Sequence, residues 1–136
     1  MFIDTHLHLS YNEGVSPKEY IENAKNADVP YLILSCCDKN SIIEGLKLIK
    51  EYDNLFLSIG FHPDVVSEIT PEDYKWLKDI VSTCHRVVAI GEIGLDYYWE
   101  KEQKELQKEM FRKQLDIAKE LELPVVIHTR DAIQDT

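Results

Sequence analysis

The sequence contains no apolar run approaching the roughly 18 residues a membrane span needs, so no spanning helix is expected. Its first residues, Met1-Phe2-Ile3-Asp4-Thr5-His6, lack a basic segment and a small-residue cleavage site. No signal peptide is therefore expected, and the cytoplasm is the expected location. Cysteine is scarce: Cys36, Cys37 and Cys84 are odd in number, and two are adjacent. That excludes a disulfide framework, and the spacing is not that of a zinc finger, so the three are read as free thiols in or near the core. Positive charge is also short, with 15 Lys and Arg against 25 Asp and Glu and a net charge of −10. This speaks against a basic surface that holds nucleic acid through many phosphate contacts. A nucleic-acid substrate then requires bound metal ions to supply the charge locally. Finally, no Gly-rich loop follows the first apolar run, which weakens a dinucleotide-binding reading.

What is present is the composition of an ordinary globular domain, and 136 residues suit one domain spanning 1–136. Short runs rich in Ile, Val, Leu and Phe recur at Phe2–Leu9, Tyr31–Cys36, Leu55–Gly60, Val87–Ile93 and Pro124–His128. They are too short for helices and read as buried strands. Amphipathic segments separate them. Ser16-Pro17-Lys18-Glu19 reads as a capped helix start, followed by an apolar face of Tyr20, Ile21, Ala24 and Ala27. A second helix is expected over 40–52, burying Ile42, Ile43, Leu46 and Ile49. A third starts at Thr70-Pro71 and buries Tyr74, Leu77, Ile80 and Val81. A fourth is expected over 101–122, burying Leu106, Met110, Leu115, Ala118 and Leu121, with Pro124 ending it. Residues 131–136 read as the first turn of another helix. Strict β-α alternation implies parallel strands with crossover helices. An open doubly wound sheet and a (β/α) barrel both fit.

The histidines carry the chemistry. His6 and His8 stand two apart in the first strand, so both imidazoles project to one face. Glu92 ends or nearly ends the fourth strand between Gly91 and Gly94, His128 closes the fifth, and His62 follows the third. All lie at one end of the expected sheet, the end at which parallel β/α proteins build their sites. Imidazole nitrogens and a carboxylate gathered there suit zinc, manganese or magnesium. Asp4 shares the face of the histidine pair. It is expected either to orient an imidazole or to cap local backbone. His85 follows the third helix, at the opposite end, and reads as a surface residue.

Four segments together resemble the TatD family of metal-dependent deoxyribonucleases. They are Phe2-Ile3-Asp4-Thr5-His6-Leu7-His8-Leu9, Ile59-Gly60-Phe61-His62-Pro63, the 89–98 stretch through Gly91-Glu92-Ile93-Gly94-Leu95-Asp96, and Pro124-Val125-Val126-Ile127-His128-Thr129-Arg130-Asp131-Ala132. The resemblance implies a TIM-type (β/α)8 barrel, of which this chain supplies five parallel strands and four intervening helices. It implies two divalent ions (Mg2+, Mn2+ or Zn2+) held by His6, His8, Glu92 and His128, with Glu92 as the bridging, catalytic carboxylate. His62 and Arg130 would meet the substrate phosphate. The implied activity is phosphodiester hydrolysis in DNA, single-stranded or from 3′ ends. A family barrel runs to roughly 250 residues and adds a sixth-strand histidine and an eighth-strand aspartate. This sequence stops at Thr136, after the fifth strand. The expectation that follows is open sheet edges, leading to self-association or to pairing with a complementary barrel fragment. The rival readings are a metal amidohydrolase acting on a small C–N substrate, a non-catalytic barrel fragment and a small flavodoxin-like binding module.

Overall fold

Cap and turn residues fix where each element begins. In the computed structural model, which describes residues 1–9, 14–99 and 101–136, the Glu19 amide donates to Ser16 Oγ at 3.2 Å, just ahead of Pro17. This starts α1 (Pro17–Asn26). Asp38 accepts the amides of Asn40 and Ser41 at 2.8 and 2.9 Å and starts α2 (Lys39–Glu51). At α3 (Pro71–Thr83) the Thr70 amide and hydroxyl both donate to Asp73 Oδ2 at 2.8 Å. Such caps satisfy polar groups at a helix start that have no partner within the helix. The strands are β1 (Ile3–Leu7), β2 (Tyr31–Cys36), β3 (Leu55–Ile59), β4 (Val87–Asp96) and β5 (Val125–Arg130). A 3-10 turn over Pro63–Glu68 follows β3, and another over Lys101–Gln103 leads into α4 (Lys104–Glu120).

The five strands form one parallel sheet in the order β1-β2-β3-β4-β5. A doubly wound sheet would reverse its strand order at a switch point and cover both faces with helices. Sequential order with crossovers of one hand instead puts every helix on one side and curls the sheet. The fold is a half-barrel, and the doubly wound alternative is set aside.

The core lies between the convex face of the sheet and the helices. Leu32, Leu34 and Cys36 of β2 stand in register with Leu55, Leu57 and Ile59 of β3, and all six are buried. Ile42 and Ile49 of α2, Leu77 of α3 and Met110 and Ile117 of α4 complete this layer. Gly45 lets α2 close on the sheet, since a Cβ there would lie 2.8 Å from Cys36 Sγ and 3.1 Å from Leu57. Among the described residues, no helix is long and apolar enough to cross a membrane.

The structure corrects several expectations. β4 runs three residues past Ile93, to Asp96, and β5 two past His128, to Arg130. Ile43 and Leu106 are exposed, as is Ala27 at the end of α1. The buried positions of α4 include Gln107, Met110, Gln114 and Ile117, a face rotated away from Leu106. The two glutamines misled the apolar pattern because each makes paired hydrogen bonds to backbone. Gln114 accepts from the Phe61 amide at 2.7 Å and donates to the Phe61 carbonyl at 3.0 Å. Gln107 does the same with Asp96, at 2.8 and 2.9 Å. A buried amide with both ends bonded costs little. Residues 132–136 form a single turn closed by the Asp135 and Thr136 amides on the Ala132 carbonyl.

Candidate metal centre

β1 and the residue just past its end deliver two imidazoles to the C-terminal rim of the sheet: His6 lies in the strand, whereas His8, expected in it, follows Leu7, where β1 ends. Strand alternation puts His6 and His8 on the same face, and their Nε2 atoms are 3.1 Å apart. His8 Nδ1 lies 3.1 Å from the Ser35 carbonyl, which can only accept. Nδ1 therefore carries the proton and Nε2 the lone pair, as in a ring oriented for a metal. Glu92 of β4 completes the group: its Oε2 is 3.3 Å from His6 Nε2 and 3.9 Å from His8 Nε2.

The other carboxylate oxygen of Glu92 faces a second group. His128 Nδ1 is 3.2 Å from Oε1. His62 joins it, its ring centroid 4.3 Å from that of His128. The ligand atoms of His62, Glu92 and His128 all lie within 4.8 Å of one another, as do those of His6, His8 and Glu92. Strand geometry explains the convergence, because β4 and β5 are paired with Gly94 opposite His128. A side chain at Gly94 could not be accommodated: its Cβ would overlap the His128 carbonyl.

These residues fit a divalent ion. Bonds of 2.0–2.1 Å to nitrogen and oxygen in a tetrahedral site separate neighbouring donors by roughly 3.3 Å. The separations of 3.1, 3.3 and 3.9 Å in the first group span that value. Two Nε2 lone pairs at 3.1 Å repel unless a proton or a cation lies between them. The donor set, imidazole plus carboxylate, suits zinc and manganese.

The residues around the centre hold it in place. Asp96, which is 2% exposed, lies with Oδ2 3.0 Å from His128 Nε2. A proton on that nitrogen leaves Nδ1 with its lone pair aimed toward Glu92. Burial alone would raise the Asp96 pKa. The amides of Trp99 and Tyr98, both donating to Oδ1, and the imidazole of His128 together hold it below the ordinary carboxylate range. Asp96 is thus an ionised partner that orients His128. Around His62, Nδ1 is 2.7 Å from Asp64 Oδ1, and that hydrogen bond lowers the Asp64 pKa. Cys37 approaches Glu92 Oε2 at 4.0 Å, and burial pushes its thiol up to about 11. All three cysteines are free thiols, as their number and spacing suggest.

The structure thus brings together His6, His8, His62, Glu92 and His128. Arg130 stands outside both groups, exposed, two residues beyond His128 on β5, with its guanidinium over Tyr98. Asp4 does not orient an imidazole; its Oδ1 accepts the His6 amide at 3.1 Å, the backbone-capping alternative. His85 is exposed at the opposite end of β4. Sequence reasoning missed Asp96 as a partner of His128. The available signal was an aspartate two and three residues before the amides it accepts, an Asx-type turn.

The chain is similar to known proteins over nearly its whole length. The chain is 43% identical over 136 residues to the uncharacterized metal-dependent hydrolase YabD of Bacillus subtilis (strain 168), covering 99% of this chain and 53% of the relative. It is 35% identical over 138 residues to the uncharacterized metal-dependent hydrolase YcfH of Escherichia coli (strain K12), covering 98% and 51%. Among solved structures, YJJV, a TatD homolog from Escherichia coli K12, superposes with a TM-score of 0.84 at 28% identity, over 98% of this chain and 52% of that one. A TatD family hydrolase from Entamoeba histolytica gives 0.82 at 28% identity, over 98% and 51%. The chain spans about half the length of the relatives it matches. The family model described as TatD related DNase matches residues 3–136, nearly the whole sequence, and to that family this chain belongs.

Proposed function

We propose that this rim binds two divalent ions and serves metal-dependent hydrolysis of phosphodiester bonds in DNA. The observation that carries the reading is Glu92, whose two oxygens face two separate histidine groups. One carboxylate between two such groups is the arrangement of a bridging ligand. His6 and His8 would hold one ion and His128 the other, with His62 beside it. Ions bound there would supply an activated water and stabilise the leaving oxygen of the ester.

The chain's own residues set the conditions. The Ser35 carbonyl fixes the proton position on His8, and the Asp96 carboxylate would hold a proton on His128 Nε2. Glu92 contributes negative charge where the ions would sit. His62, beside His128, and Arg130, two residues further along β5, would meet the substrate phosphates. That matters for a chain of net charge −10, which otherwise repels a polyanion.

Two measurements test the reading. Calorimetric titration with Mn2+ or Zn2+ should show binding that the His6→Ala/His8→Ala variant loses. Equal binding by both proteins would remove the metal centre. Single-stranded DNA and small amides should then be incubated with Mg2+ or Mn2+. Cleavage of the DNA alone, abolished by EDTA, is expected; cleavage of the amides alone would overturn the substrate assignment.

A further inference from the structure

The turn after β4 carries two large aromatic side chains that the core does not use. Trp99 is 67% exposed and Tyr98 is 45% exposed. Their rings meet edge to face, with centroids 4.7 Å apart and planes at 88°, so each keeps its own orientation. The Arg130 guanidinium lies 4.1 Å from the Tyr98 centroid and 5.6 Å from that of Trp99. Trp99 therefore keeps the more open face. The group is rigid at its base, because the amides of Tyr98 and Trp99 both donate to Asp96 Oδ1, at 2.9 and 3.2 Å. The other oxygen of Asp96 is the partner of His128. Arg130 follows His128 by two residues on β5, so both project to the same face, roughly 6.6 Å apart along the strand.

We infer that Tyr98, Trp99 and Arg130 form a ledge that stacks an unpaired nucleobase of single-stranded DNA beside the metal centre. The inference deepens the proposed function and rests on it for the identity of the strand. An open indole face suits any base, since every base has a π-face. The adjoining guanidinium offers donors for the phosphate of the same nucleotide. Duplex DNA keeps its bases stacked on one another and cannot use the ledge. Hydrolysis would then occur at the phosphate next to a splayed base.

The test uses intrinsic tryptophan emission. A Trp76→Phe background leaves Trp99 as the reporter, and the protein is titrated with octathymidylate and with an abasic oligomer of equal length, each with and without Mn2+. Octathymidylate should quench Trp99 and bind about ten-fold more tightly than the abasic strand, the size expected for one stacked base. In Trp99→Phe the preference should survive, read by competition. In Trp99→Leu, folded by circular dichroism, it should vanish. Equal affinity for the base-bearing and abasic strands overturns the ledge, as does a preference unchanged in Trp99→Leu. Base-dependent binding without cleavage in Mn2+ would support the ledge while overturning the hydrolysis; cleavage of both strands at equal affinity would do the reverse.

Discussion

Single atoms decide the chemistry at the rim. A proton held on His128 Nε2 by the ionised Asp96 carboxylate would leave the Nδ1 lone pair on the Glu92 side. Asp96→Asn weakens that acceptor while keeping the shape. Metal affinity should fall about 10- to 100-fold, the usual cost of losing such a partner, as measured by Mn2+ or Zn2+ calorimetry. An unchanged affinity would mean that Asp96 serves only its turn. The contrast with Asp4 is instructive. Asp4 stands two residues before His6 in the sequence, yet it accepts only a backbone amide, whereas Asp96, 32 residues from His128, meets that imidazole. The histidines and Glu92 were legible because their spacing puts them at strand ends. Asp96 was not, since the apolar pattern stopped at Ile93 and left the aspartate in an apparent loop. Pairing with β5 carries β4 onward to Asp96, and a single-strand pattern does not contain that pairing.

At the scale of elements, helix starts and strand pairings can be tested one at a time. Burial would raise the Asp73 pKa, but the Thr70 amide and hydroxyl and the Lys39 ammonium hold it below the ordinary carboxylate range. Since the folded-state pKa lies below the unfolded one, the stabilisation is fully present above the ordinary carboxylate range. It is lost as pH falls through the lowered value. Asp73→Asn should cost about 1 kcal/mol near neutrality, in the range of a lost cap. Urea midpoints of variant and wild type should converge under acid conditions; a gap that persists there would refute the electrostatic part. Gly94→Ala should cost more, about 3 kcal/mol, because its Cβ must displace the His128 carbonyl. The helix starts at Ser16 and Thr70 were readable from local chemistry alone. The burial of Leu106 was misjudged because Gln107 and Gln114 occupy core positions. A polar residue satisfied by backbone from a distant strand leaves no trace in a hydrophobic period.

For the whole molecule, the strand order resolves what alternation alone left open. Sequential order requires contacts between neighbours, and no local pattern encodes which strand lies beside which. The half-barrel leaves β1 and β5 as edges, with Ile3 and Ile127 among the exposed residues. Unpaired edges of this kind recruit other strands. We propose that a second copy or a complementary barrel fragment pairs there; for this chain alone the mass from light scattering should then rise with concentration, and a constant monomer mass would dismiss self-association. Gln107 and Gln114 join two distant parts of the rim. Phe61 precedes His62, Asp96 holds His128, and both are tethered to α4 at sites two helical turns apart. The helix is thus a common spar from which both sides of the second histidine group hang. In hydrogen–deuterium exchange the amides of Phe61 and Asp96 should open together, at the rate set by α4, so that the cup comes apart as one piece or not at all.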